Sequence, residues 1–318
     1  MPKGGRTPIA IVNTLAPVFL IIVLGWGLTR TCFLSDRALS ELNRVTYWIG
    51  VPSLLVERIA GATPAFAAVT GLLAVGVGAT LLGIGAALVT ASWLRLPSAA
   101  VGTFVQGVFR GNLAFIGLPV VVYAFAADGA AAGAEASALL LFGPLVVVYN
   151  VLAVAVLLAA GSGRRRGVAR GVAYGLVTNP ILIACALGVT LSAAQVHLPV
   201  LVSRTLSAIG QMALPLALLC IGGTLHTARL RGRLQWAWVG GLMKVALLPA
   251  IGWGLAWAVG LSAEHTRIAL ILLACPTATA SYVLARQLGG DEGLASSLLL
   301  ASSVLAIPAM AVVLWLTA

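Results

Sequence analysis

The sequence predicts an all-α polytopic membrane protein: ten transmembrane helices arranged as two inverted five-helix repeats, with broken helices at spans four and nine. Three observations predict it. Of 318 residues, 61% are hydrophobic and 8% charged, against about 25% charged in an ordinary soluble domain. The apolar residues fall into ten runs of spanning length separated by short charged breaks. The two halves of the chain resemble each other at an offset close to half its length. A soluble fold could not cover so much apolar surface with so few polar residues, and disorder is excluded on the same ground. The mean hydropathy of +1.08 comes from long runs, not from the alternating ten-residue strands of a membrane barrel. The net charge is +11, but the basic residues lie in short stretches between apolar runs, which argues against nucleic acid as a partner.

Each span follows from an apolar run of about 20 residues or more. Span one, 9–29, follows a short basic stretch and is too long for the core of a cleaved signal peptide. Span two, 40–60, carries Asn43 and Pro52. Span three is 67–94; span four, 99–126, holds Arg110, Asn112 and Pro119. Span five, 136–160, holds Pro144 and Asn150 and runs into the basic stretch Gly161–Arg170. Span six, 174–193, contains Pro180, and span seven, 199–224, contains Gln211 and Pro215. Span eight, 235–260, contains Lys244 and Pro249; span nine, 266–287, contains Pro276, Thr277 and Thr279; span ten is 294–316. Cys32, Cys185, Cys220 and Cys275 have no metal-binding spacing and read as small apolar residues. No cofactor or metal is expected.

Loop charge orients the chain. Arg30, Arg37, Arg95, Arg164, Arg165, Arg166, Arg170, Arg229, Arg231, Arg233 and Arg286 collect on one side; Lys3, Arg6, Arg58 and Arg267 collect on the other. The first side is expected to be cytoplasmic, in an inner or plasma membrane, with both termini on the opposite side. The polybasic loop reads as a topology anchor, with anionic membrane lipid as its alternative partner.

At an offset of 163, Pro17, Leu24, Gly25 and Leu28 fall on Pro180, Leu187, Gly188 and Leu191, and Pro52 falls on Pro215. Later in each half the offset becomes 159, and Tyr123 meets Tyr282. The repeats are then residues 1–160 and 174–318, joined by a basic linker, 161–173. Five spans is an odd number, so the second copy enters from the opposite face, the architecture on which many secondary transporters are built.

Two stretches at corresponding places carry breakers: Phe109-Arg110-Gly111-Asn112 to Gly117-Leu118-Pro119, and Cys275-Pro276-Thr277-Ala278-Thr279. A proline lacks an amide hydrogen and frees the carbonyl four residues earlier, here Phe115 and Leu272. Irregular backbone at membrane depth survives where protein or a watery cavity satisfies it. Half-helices starting near Pro119 and Pro276 would offer unpaired amides to an anion. Asn112 can bond freed backbone or a substrate carboxylate, and Thr277 can cap a half-helix or touch a ligand. Interhelical hydrogen bonding is the alternative for Thr277, Thr279 and Ser281, as for Asn43, Asn150 and Gln211. Arg110 is a candidate for holding a carboxylate, and Lys244 reads more simply as snorkelling to an interface.

The segments NLAFIGLPVVVYAF, TNPILIACALGVTL, ALPLALLCIGGTL, MKVALLP and ACPTATASYVLARQLGGDEGLAS resemble the auxin efflux carrier family, which includes the plant auxin carriers and bacterial members often labelled malonate or malate permeases. The resemblance implies two inverted five-helix repeats, a scaffold and a transport domain, and crossed broken helices at the substrate site. By position the crossover corresponds to Gly117–Pro119 and Pro276, and its polar residue to Asn112. The loop after span five departs from the plant carriers: it is only Gly161–Arg170, so control through a long phosphorylated loop is not expected.

The expected function is secondary transport of a small organic anion by alternating access. The eight acidic residues all fall at or near span ends, so neither a buried aspartate pair for proton antiport nor a carboxylate for sodium is present. Facilitated transport or efflux driven by substrate gradient and membrane potential fits best, with proton coupling through the substrate or through His197, His226 or His265, all near span ends, as the alternative. An exporter of the drug/metabolite type is the competing carrier. An enzyme would need a catalytic set such as HExxH, and none is present. A homodimer is a further expectation.

Overall fold

A computed structural model describes residues 8–61, 66–126, 131–160, 174, 177–227 and 234–317. All elements in it are helical apart from one isolated bridge. The polybasic loops at 164–170 and 229–233 and the basic residues Lys3 and Arg6 lie outside the described residues.

Helices occur at each of the ten apolar runs, and six of them are long and apolar enough to cross a bilayer unbroken: Ile11–Arg30, Thr70–Trp93, Gly133–Ala160, Val200–His226, Leu234–Val259 and Glu292–Leu316. The protein is a polytopic membrane protein. In chain order the helices are α1 (Pro8–Arg30), α2 (Asp36–Val45), α3 (Val51–Ala60), α4 (Phe66–Trp93), α5 (Ser98–Phe109), α6 (Leu118–Ala126) and α7 (Ala131–Ala160). Then follow α8 (Pro180–Ala193), α9 (Val200–Thr227), α10 (Leu234–Leu242), α11 (Leu248–Val259), α12 (Ala263–Leu273), α13 (Thr279–Gln287) and α14 (Glu292–Leu316). Short polar side chains start several of them. Ser35, Asn179, Ser262 and Asp291 each accept an amide of the first turn, satisfying donors the helix itself cannot.

Prolines explain the wide turns. Three π-helical segments, Thr46–Gly50, Leu113–Gly117 and Met243–Leu247, join α2 to α3, lead into α6, and join α10 to α11. Each is followed two residues later by a proline: Pro52, Pro119 or Pro249. The proline ring clashes with the carbonyl four residues back and donates nothing to it; an extra residue in the turn relieves the clash without ending the helix. Pro119 therefore does not break span four. The break lies earlier, at Arg110–Asn112 between α5 and the π segment. In span nine the break runs through Pro276, between α12 and α13.

Packing sorts the helices into two groups that do not follow the chain halves. α1, α2–α3, α8 and α9 pack together; α4, α5–α6, α7, α10–α11, α12–α13 and α14 form the other group. Between helices in lipid, small residues let backbones approach. A Cβ on Gly25 of α1 would lie 2.2 Å from the Leu219 carbonyl of α9, and one on Gly222 would lie 1.9 Å from the Ile22 carbonyl. Gly188 of α8 packs on the Ile59 side chain of α3, whose Cβ would lie 2.9 Å from an added Cβ. In the second group Gly102 meets Leu157 (2.8 Å) and Gly240 meets Leu298 (2.6 Å). The cavity described below lies between the two groups.

Candidate substrate site

The two breaks meet. Gly111 and Thr277 form an antiparallel β-bridge: the Asn112 amide donates to the Pro276 carbonyl (2.8 Å) and the Ala278 amide to the Arg110 carbonyl (2.9 Å). Side chains take up further freed groups. The Thr277 hydroxyl donates to the Gly107 carbonyl at 2.7 Å, while its amide donates to Ser302 Oγ at 3.0 Å. Gln106 Nε2 donates to the Ser281 carbonyl at 3.0 Å, and Lys244 Nζ to the Leu273 carbonyl at 2.5 Å. This is the accounting that buried backbone demands.

In front of the bridge lies a cavity of about 1140 Å³. Asn43 and Tyr47 of span two, Asn179 and Ile181 at the start of α8, and Thr224 of α9 line one wall. The facing wall is Arg110–Phe115 with Phe142, Tyr149 and Asn150 of α7 and Thr279 and Tyr282 of α13. The mouth reaches Thr224, Gln287 and Glu292, all beside loops of the arginine-rich side. A second, separate space lies deeper between the groups. There Val51, Leu55, Leu118, Leu139, Phe142 and Leu272 leave only about 10 Å³ of space. Arg58 of α3 pairs with its neighbour Glu57 (3.2 Å) and, across the two groups, with Glu135 of α7 (3.6 Å).

Arg110 is the cavity's charge centre, only 8% exposed. Its Nη2 donates to Asn150 Oδ1 at 2.6 Å, and Asn150 Nδ2 donates to the Val146 carbonyl at 2.9 Å. Asn150 thus holds the guanidinium in place with its own hydrogen-bonding groups engaged. Arg110 Nη1 is buried and has no hydrogen-bond partner among the described residues. A guanidinium edge of this kind suits a carboxylate oxygen. Asn112 is a helix cap: its Oδ1 accepts the Phe115 amide at 3.3 Å, and its amide nitrogen is a second donor beside the cavity. Arg110 and Glu292 are the charged side chains among the described lining residues.

Of the residues singled out in the sequence, Arg110, Asn112, Asn43, Asn150 and Thr279 line this cavity. Gly117, Pro119, Pro276, Thr277 and Gln211 do not. Gly117 is a packing position, where a Cβ would meet Cys275 Sγ at 2.7 Å. Pro119 is buried in α6, and Pro276 offers its carbonyl to Asn112. Thr277 spends its hydroxyl on Gly107, and Gln211 is exposed, bonded to Ser207 at 3.3 Å. Lys244 does not snorkel: it is fully buried behind the bridge. Arg267, assigned to the loop side of span nine, is buried as well, with Nη2 on the Ala124 carbonyl (2.9 Å) and its guanidinium over Phe125. Sequence reasoning missed Tyr47, Asn179 and Tyr149. Asn179 carried a signal, since asparagine before proline at a helix start is a cap.

Comparison with known proteins identifies the family. The family described as "Membrane transport protein" matches residues 10–169 and 162–314. A protein of Rhizobium meliloti (strain 1021) named "Putative malonate transporter" is 25% identical over 312 residues, covering 96% of this chain and 95% of that one. The "Ileal sodium/bile acid cotransporter" of Oryctolagus cuniculus is 28% identical over 131 residues, covering 40% of this chain and 38% of that protein. With the family matched along both halves and a full-length relative, the chain belongs to the membrane transport proteins of the auxin efflux carrier family.

Proposed function

We propose that this protein carries an organic anion with a single carboxylate, by alternating access, in a cell membrane. The observation that carries the reading is the Arg110 guanidinium, buried at the meeting of two broken helices with one nitrogen uncommitted. Asn112 adds a neutral donor. Tyr47, Phe115, Phe142, Tyr149 and Tyr282 supply an apolar wall for the rest of the molecule. A dicarboxylate, the class named for the R. meliloti relative, would bring a second negative charge with no second cation among the described lining residues.

Two inverted repeats supply the two access states in this reading, and several pairings support them at the offset of 163. Cys32 and Gln195, both with positive φ (58° and 55°), end α1 and α8. The amides of Thr31 and Cys32 donate to Gly27 and Thr29; those of Ala194 and Gln195 donate to Thr190 and Ser192. Gly50 packs on Ala213, its own counterpart, as a residue on a pseudo-twofold axis would. With the arginine-rich side cytoplasmic and both termini outside, the cavity faces inward, and Arg58–Glu135 closes the outer side.

An anion leaving a negative interior gains about 2.3 kcal/mol per charge per 100 mV, so efflux needs no coupling ion. Purified protein in liposomes, given labelled phenylacetate, benzoate, malonate and malate with and without imposed potential and ion gradients, tests the reading. Potential-driven movement of a monocarboxylate is the expected result; movement of none of the four, or of the dicarboxylates alone, would overturn it.

A further inference from the structure

Lys244 is a fully buried ammonium with no acid to answer it. It is 0% exposed. None of the eight acidic residues lies in span eight or in either broken stretch, and no ion pair among the described residues includes it. An isolated charge at this depth is costly unless oxygen ligands and dipoles replace its water. The fold supplies them. Nζ donates to the carbonyl of Leu273, the last residue of α12. A helix C-terminus carries partial negative charge, and its last carbonyls lack helical partners. On the other broken segment Gly111 makes room: a Cβ there would stand 3.3 Å from Nζ and 3.4 Å from Cε. The ammonium therefore bonds the end of one interrupted helix and lies beside the bare backbone of the other, in space that a side chain at 111 would enter. The π segment Met243–Leu247, forced by Pro249, sets the side chain there. Gly111 also lines the cavity, so one glycine separates this charge from the substrate space.

The Leu273 carbonyl, at a helix C-terminus with no acid bonded to the group it serves, is the kind of oxygen a monovalent cation takes as a ligand. We propose that Lys244 is a tethered cation, filling at the crossing the place an inorganic cation would otherwise occupy, so that the carrier moves its anion without a coupling cation. The last step rests on the organic-anion reading above; the occupancy of the crossing does not. Lys244 is a positioning residue: it holds the two breaks together and places a fixed positive charge behind the anion.

The test is thermal unfolding of the purified protein in choline chloride against sodium, potassium and methylammonium chloride, which needs no substrate. Wild type should unfold at one temperature in all four salts. Lys244→Ala, which opens a hole beside the Leu273 carbonyl, should unfold several degrees lower in choline and recover with methylammonium or sodium in a saturable way. Lys244→Met keeps the stem and loses the charge; it should unfold below wild type with no cation recovering it. Should the alanine variant fail to fold, the methionine variant and wild type still decide. Wild-type stability in Lys244→Met, a sodium-dependent rise in wild type, or no cation selectivity in a folded Lys244→Ala would each overturn the proposal. In liposomes, wild-type phenylacetate flux should be equal in sodium and choline, and Lys244→Ala flux should fall at least tenfold in choline and rise with methylammonium. If the unfolding pattern holds and phenylacetate is not carried, the substrate reading fails and the tethered cation stands.

Discussion

Replacing Arg110 by lysine separates charge from geometry. The guanidinium has two tasks at once: Nη2 is committed to Asn150 Oδ1 at 2.6 Å, and Nη1, buried and unbonded among the described residues, faces the substrate in the proposed mode. Lysine keeps the positive charge but presents a single nitrogen on a shorter stem, without the planar fork. It can serve Asn150 or the carboxylate, not both. The loss is then one charged hydrogen bond, about 1.5–3 kcal/mol, which is a weakening of roughly 10- to 150-fold at 1.4 kcal/mol per tenfold. Arg110→Met removes the charge as well and leaves a buried carboxylate unpaired, about 2–5 kcal/mol and so roughly 30-fold to several thousand-fold. The assay is concentration-dependent uptake of labelled monocarboxylate into liposomes, with half-saturation and maximal rate separated. Lysine should raise half-saturation, and methionine should abolish measurable uptake. Equal half-saturation in wild type and Arg110→Lys would show that the fork is not used. Equal uptake by Arg110→Met would remove the residue from the site.

Asn112→Ala should abolish transport while costing about 1 kcal/mol of stability, the value of a helix cap; unfolding and uptake measured together check it, and unchanged uptake removes Asn112 from the site. Cysteines at 58 and 135 replace the ion pair between α3 and α7; a short cleavable bis-thiol cross-linker that spans the two lost side chains should join them and stop transport until it is cleaved, whereas transport unaffected by a completed cross-link would deny that this end opens. Gly25→Ala and Gly222→Ala place a Cβ on facing backbone and should destabilise by about 1–3 kcal/mol. Gly27→Ala, with nothing within 4 Å of its added Cβ, should leave the unfolding temperature unchanged.

The sequence by itself determined the solvent and the elements. Apolar run length names a bilayer and a helix, because each spanning segment must satisfy its own backbone. Proline and glycine marked the two stretches where that rule fails, and the charged and amide residues inside the first, Arg110 and Asn112, line the cavity. Tertiary structure alone decided which way each polar side chain turns. α1, α4 and α8 are apolar on every side, so no periodicity tells a lipid-facing stripe from a packed one. Lys244 near a helix middle reads the same whether it reaches for water or for a carbonyl, until Leu273, 29 residues away, is seen at its nitrogen. Thr277 looks like a ligand until Gly107, 170 residues earlier, takes its hydroxyl. The break in span four moved from Pro119 to Arg110–Asn112 for a related reason. A proline's lost hydrogen bond can be absorbed locally by a wide turn, whereas an open backbone needs a partner strand, and that partner comes from the other half of the chain.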